Sequence, residues 1–368
     1  MKIQYDHQIF SFQKYGGISR YFCELINNLN NDKDIKIRLP LLISNNCYLS
    51  NQMFIKYSNF FPNKDFKGKK RIILKMNMIY SNYKLKKKDF DIFHPTYYDP
   101  YFLKKIGNRP FVLTVYDMIH EKFSNYFNVN DNTSKNKRLL CEMATKIIAI
   151  SEHTKKDLIE ILDIEPSKIE VIYLGNSMLD SSNTLKVSTP SRYILFVGAR
   201  SGYKNFDTFI VAAARVLDSD QSLSMVCAGG GRLSSKEISL FNKLNISNRV
   251  FQYSLDDDSL ASLYRQADLF VFPSIHEGFG IPLLEAFSCD CPTVCSRSSS
   301  LPEIAGDAAL YFDPLDTDSI HSTMVEVLAN RELREELIKK GQKRLKLFSW
   351  QKCAAETKKV YENILQAW

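Results

Sequence analysis

The chain has 368 residues, 45% of them hydrophobic and 24% charged, which is too long for one ordinary core and suits two α/β domains of a globular enzyme. Charge interrupts its apolar stretches well short of the roughly 18 residues a membrane-spanning helix needs, and Met1-Lys2-Ile3-Gln4-Tyr5-Asp6-His7 reads as a first strand, not as the apolar run of a leader peptide. The net charge of +8 is uneven, with 20 Lys and Arg against 8 Asp and Glu in residues 1–110 and 29 against 33 in the remainder.

Short apolar runs alternate with helical patterns along the chain, which predicts parallel sheets with helices on both faces. Strands are expected at Ile3–Tyr5, Ile35–Leu42, Ile92–His94, Phe111–Val115, Lys146–Ile150 and Ile169–Tyr173. Between the second and third, Lys67, Lys69, Lys70, Arg71, Lys75, Lys84, Lys86, Lys87 and Lys88 surround Ile72, Ile73, Leu74, Met76, Met78, Ile79, Tyr80 and Tyr83. A basic amphipathic helix over Lys67–Lys88 suits anionic lipid or a phosphorylated acceptor, and its plainer reading is a solvated face. Ser151 precedes Glu152-His153-Thr154 as a helix N-cap. The aperiodic, polar run 181–190 ends in Pro190 and reads as a linker.

A second unit opens at Tyr193-Ile194-Leu195-Phe196-Val197-Gly198, with further strands expected at Leu223–Cys227, Val250–Gln252, Leu269–Phe272, Pro292–Cys295 and Ala309–Phe312. Helices are expected around Asn205–Leu217 and Pro282–Ser288, and over Ser319–Leu347 with a break. Phe348-Ser349-Trp350 marks a turn before a last helix. The domains are therefore drawn as 1–180, 191–347 and a terminal helix 348–368 packing back on the first, both domains doubly wound and facing a cleft. Eight scattered cysteines include Cys289, Cys291 and Cys295, whose spacing lacks the two-residue gap and second pair of a zinc site. Reduced cysteines and the missing leader point to the cytoplasm, peripherally at the inner face of a membrane if the basic helix docks there. No nucleic-acid partner is indicated.

Ligands of open α/β sheets bind beyond the carboxyl ends of the strands, and four such segments carry chemistry. Gly16 and Gly17 lie between the first strand and helix, where glycine lets backbone approach a ligand and a helix start offers N–H groups to an anion. In Val197-Gly198-Ala199-Arg200-Ser201-Gly202-Tyr203-Lys204 two cations flank a glycine loop, an arrangement fit for a diphosphate, though the ending of a P-loop is absent. In Ser274-Ile275-His276-Glu277-Gly278-Phe279-Gly280-Ile281-Pro282-Leu283-Leu284-Glu285 a loop carboxylate and a helix carboxylate can both accept from sugar hydroxyls. The same two residues also admit a hydrolase dyad. Finally, Asp91–Tyr98 and Thr114–His120 place His94, Tyr116, Asp117 and His120 just after first-domain strands; a single histidine there is as readily a packing residue.

Taken together these segments resemble the family-four retaining glycosyltransferases, of GT-B fold. The resemblance is densest from Val197 through Pro314, over the Arg200/Lys204 loop, Leu263–Asp268, Pro-Ser-x-x-Glu-Gly-Phe-Gly-x-Pro-x-x-Glu-Ala at 273–286 and Ser300-Leu301-Pro302-Glu303-Ile304-Ala305-Gly306-Asp307. It implies a transferase moving a hexose from a nucleotide-sugar, GDP-mannose or a UDP-hexose, to a saccharide or lipid-linked acceptor in surface-polysaccharide assembly. In that pattern Glu277 contacts the donor sugar and Glu285 the ribose. Arg200 and Lys204 bind the diphosphate and stabilise the leaving group. Phe279, Gly280 and Ile281 add backbone contacts, and the Gly16–Gly17 loop covers the donor from the other domain. With cations in these roles no divalent metal or other cofactor is expected. Such enzymes react by front-side displacement, without a protein general base. Tyr116 stands where many relatives carry histidine, leaving Asp117 and His120 as its neighbours, and Asp290 stands where relatives usually carry a small residue; a glycine there would tolerate positive φ, and Asp is among the better substitutes. A sugar-nucleotide isomerase of the same fold is the nearest alternative.

Overall fold

The computed structural model describes residues 1–49, 55–178, 187–254 and 257–368. Of the expected linker 181–190, residues 181–186 lie outside the described residues, and 187–190 have no regular structure. The chain forms two compact units, Met1–Gly175 with Trp350–Trp368, and Asn176–Ser349.

In the first unit β1 (Lys2–Tyr5) is flanked by β2 (Lys36–Arg38) and β3 (Ile92–His94), all parallel. A second parallel set runs β4 (Val112–Val115), β5 (Lys146–Ala149) and β6 (Ile169–Val171). A parallel bridge between Phe93 and Phe111 joins the two sets, so the spatial order is β2-β1-β3-β4-β5-β6. Strand β1 thus has its successors on opposite sides, and the order in which strands are added reverses between β1 and β3. Such a switch point leaves a crevice at the strands' carboxyl ends.

The terminal helix Trp350–Ala367 belongs to this unit through a buried polar chain. Tyr361 Oη lies 2.9 Å from Tyr5 Oη and 2.6 Å from His94 Nδ1; His94 Nε2 lies 2.9 Å from Thr114 Oγ1, which lies 3.1 Å from Tyr21 Oη. Burial lowers the His94 pKa to about 3, so the ring is neutral and bridges the sheet to the helix as a packing group. Lys358 adds a 2.5 Å ion pair to Asp32.

The helix Lys69–Lys86 carries no acidic residue. Ile73, Asn77, Ser81 and Leu85, four apart, form its buried stripe. Ile72, Met76, Ile79 and Tyr83 form a second stripe that stays 40–62% exposed. Lys69 departs from the expected basic face: it is 8% exposed, and its Nζ donates to Phe61 O, Lys64 O and Asp65 Oδ1.

In the second unit six parallel strands run in the order β12-β11-β10-β7-β8-β9, with β7 Tyr193–Val197, β8 Ser224–Ala228, β9 Val250–Tyr253, β10 Leu269–Phe272, β11 Thr293–Ser296 and β12 Leu310–Phe312. Read from β9 this is the 3-2-1-4-5-6 order of dinucleotide-binding sheets, with its switch point between β7 and β10. The central strands are buried on both faces, as sheets covered by helices on each side require. Phe196, Phe206, Phe209 and Phe241 pack edge-on and stacked against one another, in a core that also holds Met225, Cys227 and Val271. The expected break in the last long pattern falls at Asn330, whose side chain caps Arg331–Leu345 after Thr317–Ala329 ends. All eight cysteines are free.

Candidate active site

The switch point of the second unit brings two expected segments into contact. After β7 the chain turns through Gly202–Lys204 to Asn205, left-handed at φ 58°, and enters the helix Phe206–Ser219. After β10 it forms the loop 273–280 and enters Ile281–Ser288 with Pro282 in the first turn. The loops are joined by Ile275 N–H donating to Tyr203 O at 2.8 Å and by Lys204 Nζ donating to Glu277 Oε1 at 2.6 Å. Both side chains are mostly buried, at 19% and 12% exposure. The ammonium also lies 5.4 Å from the Tyr203 ring and 5.7 Å from that of Phe272.

Serines following β11 hold the Glu277 loop in place. Ser298 Oγ donates to Ile275 O (2.8 Å), Ser300 Oγ reaches both Glu277 O and Phe279 O (3.0 Å each), and Glu277 N–H donates to Ser299 Oγ (2.9 Å). Gly280 turns the chain into Ile281 at φ 105°, where a Cβ would come within 2.9 Å of Leu301 Cδ2; a side chain is barred by both conformation and space. Glu285, on the helix, is 6% exposed and accepts from the fully buried Tyr264 hydroxyl at 3.1 Å.

Arg200 is held by partners of its own unit. It is 7% exposed, and its Nε meets Glu237 Oε1 at 2.5 Å. Its Nη1 donates to Gly229 O and its Nη2 to Gly231 O and Arg232 O. Four of its five N–H groups are thus engaged inside the unit, and Arg200 fixes the Gly229-Gly230-Gly231 turn that follows β8. All three glycines have positive φ, and a Cβ on Gly230 would come 2.8 Å from Arg200 Nη1 and 2.9 Å from Gly198 O. Glu237 in turn accepts from Ser234 as a capping box on the helix Ser235–Lys243. Burial opposes its charge, yet the Ser234 donors and Arg200 hold its pKa below the ordinary value. Sequence reasoning passed over this turn, although three glycines at a strand's carboxyl end were the signal.

In the first unit Tyr116, Asp117 and His120 do cluster beyond β4. Tyr116 packs between Tyr21 and Tyr98. Its hydroxyl is buried with no hydrogen-bond partner among the described residues, and burial pushes its pKa far up. Asp117 Oδ1 caps the turn by accepting from Ile119 N–H. His120 stacks on Phe127 at 3.8 Å and is lowered in pKa by burial and then by Lys137. Lys137 was not anticipated: fully buried, it donates to Asp117 O and Glu121 Oε2 at 2.8 Å each. Gly16 and Gly17 stand at the start of the helix Gly17–Asn30.

The sequence matches the family model "Glycosyltransferase Family 4" over residues 15–176 and "Glycosyl transferases group 1" over 180–344. It is 44% identical over 106 residues to the O-antigen chain mannosyltransferase B of Escherichia coli, covering 29% of this chain and 28% of that protein. It is 30% identical over 248 residues to the serotype-specific mannosyltransferase WbdA of Escherichia coli, 63% of this chain and 30% of that one. The chain thus matches less than a third of the length of these two relatives. Among solved structures, sucrose-phosphate synthase from Thermosynechococcus elongatus superposes with TM-score 0.77 at 18% identity over all of both chains. Anabaena Alr3699/HepE, solved with UDP and glucose, gives 0.70 at 16% over 98% and 99%. With the two family models lying end to end along it, and with this sheet architecture in both units, the chain belongs to the family-four glycosyltransferases of GT-B fold.

Proposed function

We propose that the protein transfers a hexose from a nucleotide-sugar to a saccharide or lipid-linked acceptor, with retention and without a divalent metal, in surface-polysaccharide synthesis. One observation carries this reading: Lys204 and Glu277 meet at 2.6 Å at the switch point of a 3-2-1-4-5-6 sheet. On binding, Lys204 would turn from Glu277 to the diphosphate, and Glu277, released, would accept from hydroxyls of the donor sugar. Glu285 would take the ribose, and the backbone of Phe279, Gly280 and Ile281 would complete the phosphate and sugar contacts. Arg200 would act at one remove, by setting the Gly229–Gly231 turn. In front-side displacement the acceptor oxygen bonds to the anomeric carbon as the carbon–phosphate oxygen bond breaks, and the acceptor proton passes to the departing phosphate oxygen. The charge left on the nucleoside diphosphate is what Lys204 stabilises. The unpartnered Tyr116 hydroxyl would serve a sugar hydroxyl, with Asp117 and His120 beside it.

The mannosyltransferase relatives favour a mannosyl donor such as GDP-mannose over a UDP-hexose. Calorimetric titration of UDP, GDP and ADP in EDTA tests this, comparing wild type with Lys204→Ala and Glu285→Ala. Tight binding of one nucleotide, weakened by both substitutions, supports the reading; no nucleotide binding by folded protein defeats it. Nucleotide release without an acceptor at the full rate would favour the isomerase or hydrolase alternatives.

For the acceptor's membrane, we assign the exposed stripe Ile72, Met76, Ile79 and Tyr83, flanked by cations and preceded by exposed Phe61 and Phe66, to contact with anionic lipid. Among the described residues no helix is long and apolar enough to cross a membrane, so such contact is interfacial. Each basic residue near such a surface contributes about 1 kcal/mol, so neutralising Lys86, Lys87 and Lys88 should sharply reduce sedimentation with anionic vesicles. Unchanged sedimentation and turnover would remove the assignment.

A further inference from the structure

Beyond β4 a single ammonium ties together the segments that carry Asp117 and His120. Lys137 projects from the helix Thr133–Met143 and has no exposed surface. Its Nζ donates to Asp117 O and to Glu121 Oε2, each at 2.8 Å, and lies 5.3 Å from the centre of the Tyr98 ring. Asp117 follows β4 by two residues, and Glu121 follows His120 on the short helix Ile119–Lys122. Tyr98 holds the same segment from its other end, where its Oη accepts from Tyr116 N–H at 3.2 Å.

The Tyr116–Asp117 dipeptide is thus bound at its first N–H and its last C=O. That fixes the flanking peptide planes, and with them the directions in which the two side chains leave the backbone. Asp117 commits Oδ1 to Ile119 N–H at 3.0 Å, keeps 28% of its side chain exposed, and makes no hydrogen bond through Oδ2 among the described residues. His120 keeps 20% of its side chain exposed, with Asp131 Oδ2 3.7 Å from Nε2. Both present surface to a ligand, whereas Lys137 presents none.

Packing alone does not call for a charge at this position. Burying an ammonium is costly, and a buried ion pair replaced by apolar residues of similar volume often leaves a fold as stable or more so. The pair is also incomplete as a tie, since Glu121 Oε1 is buried with no partner among the described residues. What an ammonium does that a methionine could not is hold a carbonyl and set a local field. His120 is faced by Asp117, Glu121 and Lys137 and, from the stretch before Thr133–Met143, by Asp131. Burial first and Lys137 next lower its pKa, against the three carboxylates that raise it. The ring is then neutral near pH 7 and can both donate and accept.

We propose that Lys137 is a positioning residue for the transfer: it meets no substrate itself, and it sets the Asp117 carboxylate and the neighbouring His120 ring for the hydroxyl groups of a bound sugar. This rests on the transferase reading, in which Asp117 and His120 stand beside the sugar, and it names the group that orients them.

The test compares wild type, Glu121→Gln and Lys137→Met/Glu121→Gln. Lys137→Met alone would strand the Glu121 carboxylate, so the double variant removes both charges and keeps side chains of similar length. Glu121→Gln loses the same carboxylate but leaves the grip on Asp117 O. Turnover of GDP-mannose, or of UDP-glucose where that is the donor used, is followed with methyl α-D-mannopyranoside as acceptor, beside calorimetry of the matching nucleotide. The double variant should bind the nucleotide as wild type does, while kcat/KM falls about 10- to 100-fold below that of Glu121→Gln, the scale of a misplaced reacting group. By NMR its His120 ring should titrate at higher pH than in wild type, because Lys137 opposes protonation more than Glu121 favours it, and in Glu121→Gln at lower pH. A kcat/KM equal in the two variants, a loss matched by an equal loss of nucleotide affinity, or a His120 titration that does not move would each overturn the role of Lys137 and leave the donor reading intact. No turnover of either donor by folded wild type would overturn the transferase reading, and the role of Lys137 with it.

Discussion

The two units use the same device, a parallel sheet whose strand order reverses beside its first strand, and furnish it oppositely. The switch point of Asn176–Ser349 is charged: Lys204 and Glu277 face each other, and Arg200 is locked to Glu237 one loop away. That of Met1–Gly175 is lined by aromatic rings, a neutral histidine and carboxylates, with no cation. Topology provides a crevice in each case, and the side chains that follow the strands decide what can enter. A crevice holding an ammonium suits a ligand that brings negative charge, whereas one lined by aromatic rings, neutral polar groups and carboxylates disfavours it.

The largest test of this contrast is Lys204→Ala. If the charged crevice stabilises a leaving diphosphate, kcat should fall about 10²- to 10³-fold in a steady-state assay, far more than for any single change at the neutral crevice. A loss no greater than that of Phe12→Ala would erase the distinction. Next, Arg200→Ala should cost about 3–5 kcal/mol of stability by leaving Glu237 without its cation, read as the urea midpoint. Because the Glu237 pKa is lowered in the fold, its contribution is complete above its unfolded value of about 4.3 and lost as pH falls through the folded one. The variant's acid unfolding curve should therefore be flatter than wild type below about pH 4.3.

His94 sharpens the contrast from the other side. Its folded pKa of about 3 lies below the unfolded value of about 6.5, so the unfolded chain takes up its proton first. Stability should drop as pH falls from about 6.5 towards 3, by up to about 1.4 kcal/mol per pH unit. His94→Gln should remove that slope in pH-dependent denaturation, and an unaltered slope would refute the neutral, structural role given to this ring. The smallest effect is expected at Asp290, where φ is 54° and Oδ1 accepts from Gln342. Asp290→Gly relieves the backbone but loses that bond and loosens the unfolded chain, so the melting point should reflect a change within about 0.5 kcal/mol.

Much of this was legible from local pattern. Strands such as Leu269–Phe272 and Ile92–His94 have the bounds their apolar runs predicted, because a strand covered on both faces must be continuously apolar. The αL conformation at Asp290 and the Ser151 cap on Glu152–Leu162 follow from single residues and their neighbours. Loops carrying Lys204, Glu277 and Glu285 could be marked as chemical because glycine and charge after a strand have few other uses. Pairing was beyond reach. That Lys204 meets Glu277, 73 residues away, while Arg200 turns inward to Glu237, depends on strand order, and one-dimensional spacing does not encode which loops become neighbours. The same holds for Lys137 beneath Asp117 and for the Gly229–Gly231 turn. Residue types set what chemistry was available to this chain; the order of its strands decided which charges neutralise one another.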